Sequence, residues 1–482
     1  MSVSTNARNH PIGREIMKLK KNLLLSTTAL LVSLAAVTAA KSDGHAGKVY
    51  ADFPVTLKGY SGDKKNSVSY GGQIARHLLH NNLKKAASKG DLDAMMANFK
   101  GQKGLSIMDP KSSDKFPIKQ SKVDELSSGK TLSKKTFKGK IQGWPGNMTG
   151  VEVLEFMINK AGNTSNGLDT NTGYNYTQLI SKFAMGAVFY NQSCNNYLGD
   201  KKLSGSVKPN DAPYKKGAYY TGKEHVWDEA FGYWGAAAHT LTVSAKDSYN
   251  IAKKKSLKAA DFNGDGVVDL KSEMTFAHAY YASAFDKGGK TNYLNTVTGA
   301  FLEGRQLIAS YKGEKIGWNG RNKMKSLATT ICSNWEKVIA EAVFKYAGSV
   351  YKDLDKLNAL IEKNADTKKA FSKYAKHWGE AKGFALALEA GRTNLGETGT
   401  KMTNLLGYGP WLPNMSQVTD IASDGSYVKE QASSVGEYQL HMLKLQKLMV
   451  DKFGVKARAN DMLGSMDDMV KKMGGSNSAE ND

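Results

Sequence analysis

The stretch NWEKVIAEAVFKYAGSVYKDLDKLNALIEK, residues 334–363, carries an apolar residue at nearly every third or fourth position. This spacing places the apolar side chains on one face of an α-helix, because the helix completes a turn in about 3.6 residues. Helical spacing recurs in GGQIARHLLHNNLKKAASKG, YTQLISKFAMGAVFYNQSCNNYL and GEYQLHMLKLQKLMVDKFG. Few segments show the alternation typical of strands, so the sequence predicts an all-α fold, a helical bundle.

Long polar segments separate the helical stretches. Gly, Asn, Ser and Lys are frequent in four of them, at residues 101–150, 161–175, 199–222 and 390–435. Loops of this length in a compact domain are usually functional or mobile. The sequence therefore predicts one helical domain with long irregular loops, at residues 41–472, and a disordered tail at residues 473–482.

Two parts of the chain resemble each other. The residues AVF at 187–189 precede the phrase WDEAFGY at Trp227 by 40 residues, and AVF at 342–344 precedes WGEAKGF at Trp378 by 36 residues. Two matched blocks at nearly equal separation predict two duplicated helix pairs, and chance matching of common helical residues is the alternative. The two copies would span about residues 176–240 and 330–390.

The N-terminal residues 1–40 have the organisation of a secretory signal peptide with an over-long start. From Met17 a basic stretch, KLKK, precedes the apolar run LLLSTTALLVSLAAV and then TAAK, so cleavage is predicted after Ala39 or Ala40. The apolar run is short and rich in Ser and Thr, and no Cys follows it for lipid attachment. We therefore predict a mature chain without a transmembrane segment, in the periplasm, secreted or associated with the outer membrane.

The chain is strongly basic, with a formal net charge of +22. Removing residues 1–40 removes five basic residues and one acid, which leaves +18. The lysines are scattered over the chain, and the sequence contains no nucleic-acid-binding motif. A solvated lysine-rich surface is the better interpretation, and no nucleic-acid partner is predicted.

The stretch EHVWDEAFGYWGAAAH, residues 224–239, places His225, Asp228 and Glu229 on one face of a helix and large aromatic residues on the opposite face. The aromatic face is predicted to be core. Imidazole and carboxylate groups together suit iron, zinc or manganese, and both can leave one helix three or four residues apart. These three residues, with His377 and Glu380 from the second copy, are candidate metal ligands. The alternative is a buried histidine that is hydrogen-bonded to a carboxylate.

The stretch DFNGDGVVDLKSE, residues 261–273, is similar to an EF-hand calcium loop. Oxygen ligands at positions 1, 3, 5, 7 and 9 of such a loop would come from Asp261, Asn263, Asp265, the carbonyl of Val267, and Asp269. The closing acid, Glu273, comes one residue late, because position 12 is Ser272. The pattern predicts a structural calcium site, and a turn that only carries negative charge is the alternative.

Two cysteines in a chain of this length exclude a disulfide-dense scaffold. Cys194 and Cys332 form a disulfide in one interpretation and are buried thiols in the other, and the sequence favours neither.

Several segments together carry a family resemblance: YADFPV, SVSYGGQIAR, YTQLISKFAMGAVFYNQ, EHVWDEAFGYWG and DFNGDGVVDLKSE. They resemble bacterial envelope proteins with a domain of unknown function, similar in style to the iron-regulated, periplasmic imelysin-like proteins. The resemblance implies a helical protein of two bundle-like repeats, located in the periplasm or outer membrane and associated with iron uptake. The family marker Gly-x-His-x-x-Glu falls on residues 223–228, where His225 matches, Lys223 replaces the glycine, and Asp228 with Glu229 beside it replaces the glutamate.

The sequence contains neither His-Glu-x-x-His nor a Ser or Cys nucleophile in a catalytic motif, so it does not predict an enzyme. The favoured prediction is a non-enzymatic, imelysin-like periplasmic or envelope protein that binds a metal or iron species, with an envelope or uptake-system protein as partner. The alternative is a structural or interaction protein of the envelope, with a structural calcium site and no transported ligand.

Overall fold

The computed structural model describes residues 48–473. The predicted signal peptide lies outside the described residues, as does the predicted tail beyond Met473. Within residues 48–473 the protein has fifteen α-helices, one π-helix and a single pair of strands. The prediction of a mostly helical fold is therefore confirmed.

In chain order, the helices of the first half are α1 (Gly71–Ala87), α2 (Leu92–Lys100), α3 (Gly150–Ala161), α4 (Tyr176–Ala184), α5 (Asp200–Leu203), α6 (Gly222–Trp234), α7 (Ala245–Ala252) and α8 (Leu257–Ala260). Those of the second half follow: α9 (Ala277–Asp286), α10 (Tyr293–Ser310), α11 (Trp318–Glu362), α12 (Lys368–Glu389), α13 (Glu397–Leu406), α14 (Val435–Phe453) and α15 (Met466–Lys472). Short 3₁₀ turns lie at Val123–Glu125, Ser133–Lys135, Thr240–Thr242 and Leu463–Ser465.

The 45-residue helix α11 is the central element of the fold. At a rise of about 1.5 Å per residue it is about 68 Å long. It packs against α10, α12 and α14, and its apolar face includes the fully buried Trp335, Val338 and Phe344. The helical period of residues 334–363 is thus explained by burial among three neighbouring helices.

Helix α4 continues without a break into the π-helix at Met185–Tyr197. This π-helix packs against α6 and carries Cys194, which forms a disulfide with Cys332 of α11. The disulfide joins two elements that are 138 residues apart in sequence.

Residues 390–435, predicted as one long loop, contain regular structure. Helix α13 lies in this segment, followed by an antiparallel strand pair, β1 (Ser416–Ile421) and β2 (Tyr427–Gln431). The strand pairing shifts between Val418 and Asp420, and most side chains of both strands are not buried. The loop prediction is wrong here because exposed strands lack the apolar alternation by which strands are recognised.

The segment after α14 is attached to the middle of α11 through one carboxylate. Glu341 of α11 is fully buried and accepts hydrogen bonds from the backbone N–H groups of Lys456, Ala457 and Arg458, at 2.5, 2.6 and 3.0 Å. The hydroxyl of Tyr293 donates a further hydrogen bond to it, at 3.1 Å. Glu341 therefore connects the long helix to residues more than a hundred positions later in the chain.

Candidate functional site

A cavity of about 490 Å³ lies among α1, α4, α9, α11 and α12. Its lining contains six lysines and two acids, which gives a formal excess of four positive charges. The lysines are Lys84, Lys182, Lys253, Lys254, Lys345 and Lys376, and the acids are Asp109 and Glu380. A concave surface with one dominant sign of charge concentrates ions of the opposite sign.

Both acids of the cavity are already paired with lysines. The ammonium of Lys254 lies 3.7 Å from Asp109 Oδ1, and that of Lys182 lies 3.8 Å from Glu380 Oε1. Within the described part of the chain, the other four lysines of the lining form no ion pair. The protein itself therefore leaves the positive charge of the cavity largely uncompensated.

Lys182 is the most deeply buried of these cations, with its side chain 3% exposed. Its ammonium lies 5.6 Å from the centre of the Tyr281 ring on α9. Burial lowers the pKa of Lys182 well below its ordinary value, and the neighbouring Lys84 lowers it further. Burial also lowers the pKa of Lys84. An anion bound beside these two amines would stabilise their charged forms.

Two buried polar atoms of the cavity lining have no hydrogen-bond partner in the described structure. They are Oγ1 of Thr275 and Oε1 of Gln178, whose residues are 2% and 8% exposed. The first turn of α9 also lines the cavity, and no side chain caps this helix. The cavity therefore offers a ligand both charge and unused hydrogen-bonding groups.

The structure places two of the five predicted metal ligands, His377 and Glu380 of α12, at this cavity. His377 Nδ1 lies 2.5 Å from Asp353 Oδ2, and Asp353 also forms an ion pair with Lys373 at 2.9 Å. Because Glu380 pairs with Lys182, both predicted ligands already have protein partners.

Asp228 lies outside the cavity lining and contacts Arg305 of α10. Its carboxylate accepts hydrogen bonds from Arg305 Nε and the Tyr50 hydroxyl, each at 2.9 Å, and from the backbone N–H of Ser69 at 3.0 Å. Arg305 is fully buried and also contacts Glu224 at 3.2 Å. Burial raises the pKa of Asp228, and the charge of Arg305 opposes this change. Asp228 is thus part of a buried ion-pair network.

Glu229 turns to another side of α6. It accepts hydrogen bonds from Gln73 at 3.0 Å and from Tyr197 at 3.1 Å, and its Oε1 lies 3.8 Å from His225 Nε2. The His225 ring packs between two tyrosines, Tyr214 and Tyr220, and burial lowers its pKa to about 4. His225, Asp228 and Glu229 are therefore not brought together as one ligand set.

The face of α6 that carries Gly232 is covered by α1. A Cβ atom at Gly232 would lie 2.7 Å from Gln73 Cβ and 2.8 Å from Tyr70 Cβ. The small residue thus permits close packing of two helices. Helix α6 stops at Trp234, before the left-handed Gly235.

The loop of residues 261–273 is closed by its own hydrogen bonds. Asp261 accepts from the backbone N–H groups of Gly264, Asp265 and Gly266 at 2.9 to 3.1 Å. Glu273 accepts from three further amides of the loop, including that of Asp269 at 2.7 Å. Among residues 48–473, no group of three or more His, Cys, Asp or Glu side chains is arranged to hold a metal ion.

Sequence reasoning missed the lysine-lined cavity, because it assigned the lysines to a solvated surface. One signal was present in the sequence. Lys182 interrupts the apolar run LISKFAMGAVF, at residues 179–189, where a lysine on a buried helix requires a specific environment.

No helix in the described part of the chain is both long and apolar enough to cross a membrane. No curated protein and no solved structure matches the chain. Residues 58–393 match the model of a family described as a domain of unknown function (DUF4856). The matched region covers more than half of the chain and contains every residue of the cavity lining except Asn460. The protein therefore belongs to the DUF4856 family.

Proposed function

We propose that the protein is a non-enzymatic binding protein whose lysine-lined cavity receives a small anionic molecule. The observation that carries this proposal is the positive charge of the cavity, where only two of the six lysines in the described structure, Lys182 and Lys254, are paired with an acid. A volume of about 490 Å³ also falls within the range of small-molecule sites, which is about 300 to 1,000 Å³.

Burying a charged group costs free energy. An ammonium group taken out of water loses hydration free energy, and a neighbouring ammonium adds repulsion. An anion in the cavity offsets both terms, and its attraction is stronger there than in water because the local dielectric constant is lower. Binding of an anion therefore stabilises the cavity more than binding of a neutral molecule does.

Thermal unfolding in the presence of sulfate, phosphate and citrate tests this proposal. A ligand that binds only the folded state raises the melting temperature, and we expect this for at least one of the three anions. The rise should shrink in high salt. It should be lost in Lys182→Met and retained in Lys363→Met, which removes an exposed lysine away from the cavity. Equal melting temperatures with and without all three anions would contradict the proposal.

A metal or iron species is a second candidate for the bound molecule. His377 and Glu380 favour it, because they line the cavity three residues apart on one helix. Bound iron, zinc or manganese per purified chain should then fall in His377→Ala and be unchanged in His225→Ala, whose imidazole lies outside the cavity lining. If the purified parent protein contains no bound metal, an anion remains as the proposed ligand of the cavity.

We also propose that the protein is exported and acts in the periplasm, or after secretion at the outer membrane, with an envelope or uptake-system protein as partner. The signal-like residues 17–40 support export. The disulfide between Cys194 and Cys332 is consistent with it, because disulfides persist in oxidising compartments. Sequencing of the exported protein should begin at Ala40 or Lys41, and an intact N-terminus would contradict cleavage.

The two similar helix pairs are proposed to descend from a duplication. Their shared contacts support this. In the first copy Glu229 and Gly232 both contact Gln73 of α1, and in the second Glu380 and Gly383 both contact Lys182 of α4.

The residues 261–273 are proposed as a calcium site that stabilises the connection between α8 and α9.

A further inference from the structure

We propose that the anion is the phosphate group of a small phosphorylated molecule, held at the N-terminus of α9 between Lys182, Lys84 and Thr275. This inference rests on the proposed anion binding in the same cavity. It adds the chemical class of the ligand and the groups that recognise it.

The N-terminus of α9 lies at the cavity. The first turn of this ten-residue helix lines the cavity, and its N-cap residue, Phe276, supplies no side-chain hydrogen bond. The uncapped N–H groups and the helix dipole favour a negative charge at this position.

The second observation is independent of the helix. Thr275 lies just before α9 and lines the cavity, and its hydroxyl is buried without a partner in the described structure. A buried hydroxyl group costs free energy when it forms no hydrogen bond. A phosphate oxygen at the helix N-terminus would accept this missing hydrogen bond, as well as those of the backbone amides.

Lys182 supplies a positive charge beside α9. Its ammonium lies 5.6 Å from the centre of the ring of Tyr281, the fifth residue of this helix. Lys84 is its neighbour, and two adjacent ammonium groups suit an anion that carries two charges on one group. The lining contains lysines but no arginine. Planar carboxylates are typically bound by the fork of arginine, whereas lysine acts as a point charge and is a regular phosphate ligand.

Calorimetric titration with inorganic phosphate tests the inference on the full mature chain. Thr275→Val removes the hydroxyl with little change of shape, and we expect about a tenfold weaker phosphate affinity, as for one hydrogen bond to a charged group. Thr240→Val is the matched control. Thr240 is also fully buried with an unpartnered hydroxyl, but it lies outside the cavity lining, so this variant should bind phosphate like the parent.

Citrate is the comparison ligand, because it is an anion without phosphorus. Citrate binding without phosphate binding would overturn this inference and leave the proposed function standing. Equal phosphate affinity in Thr275→Val and Thr240→Val would also overturn it, because the phosphate would then lie away from α9. If phosphate, citrate and sulfate all fail to bind, the proposed function itself fails.

Discussion

At the scale of single residues, the charge of Lys182 depends on pH in a way that a surface lysine does not. Burial and the neighbouring Lys84 lower its pKa, so it loses its proton at a lower pH than an exposed lysine does. Anion binding needs the charged amine. Affinity should therefore fall as the pH rises, and the fall should begin below the ordinary lysine pKa of about 10.4.

Sulfate is the suitable probe, because its double charge is constant over this range. Its affinity, measured by calorimetry between neutral and alkaline pH, should decrease steadily for the parent protein. Lys182→Arg keeps a positive charge at all these pH values, so its profile should be flatter. An affinity that is constant with pH in the parent would show that Lys182 does not contribute.

Asp265 gives a residue-scale prediction for the loop of residues 261–273. Chelator-treated protein should melt at a higher temperature after calcium is added, since a cation that binds only the folded loop stabilises it. Asp265→Ala should abolish this increment. Asp63→Ala, which removes an exposed acid elsewhere, should retain it. An unchanged melting curve for the parent at millimolar calcium, the range of the weakest extracellular sites, would contradict the proposed site.

At the scale of elements, the contact between α6 and α10 depends on Arg305. This buried guanidinium contacts Asp228 and Glu224 of α6. Asp228→Ala removes one carboxylate partner of the buried Arg305. The free energy of unfolding should therefore fall by about 3 to 5 kcal/mol. Urea unfolding measures this loss.

The matched control lies on α10, the helix that carries Arg305. Glu303 of α10 pairs with Lys323, and both side chains are 52% exposed. Glu303→Ala should cost at most about 1 kcal/mol, as for other surface ion pairs. Similar losses in Asp228→Ala and Glu303→Ala would show that the buried network does not stabilise the packing of α6 on α10.

The sequence predicted helices well where one face is apolar, as in α11 and α14. It also identified the helical stretch of α6. It did not show that the side chains of Asp228 and Glu229 bind partners on different helices. Their partners, Arg305 and Gln73, lie 77 and 156 residues away in the chain. The cavity was not predicted for the same reason, because its charge arises only when helices distant in sequence pack together.

At the scale of the whole molecule, the disulfide closes a loop of 138 residues. Closing such a loop reduces the entropy of the unfolded chain, and the chain-entropy model gives about 5 kcal/mol for this length. Replacing both Cys194 and Cys332 by Ala should lower the free energy of unfolding by about 2 to 5 kcal/mol. Reductant should lower the stability of the parent by a similar amount and leave the double variant unchanged. Equal stability of the parent and the double variant would contradict this.

The burial of Glu341 has a consequence for the order of events during synthesis. A nascent chain that ends before residue 456 already contains all of α11, but it lacks the three amides that bind this carboxylate. Docking the middle of α11 at that stage would bury this carboxylate with the Tyr293 hydroxyl but without its three amide donors, which is unfavourable. Docking of the middle of α11 is therefore disfavoured until residues 456–458 have been made. Over that interval a chaperone has a large apolar surface to hold.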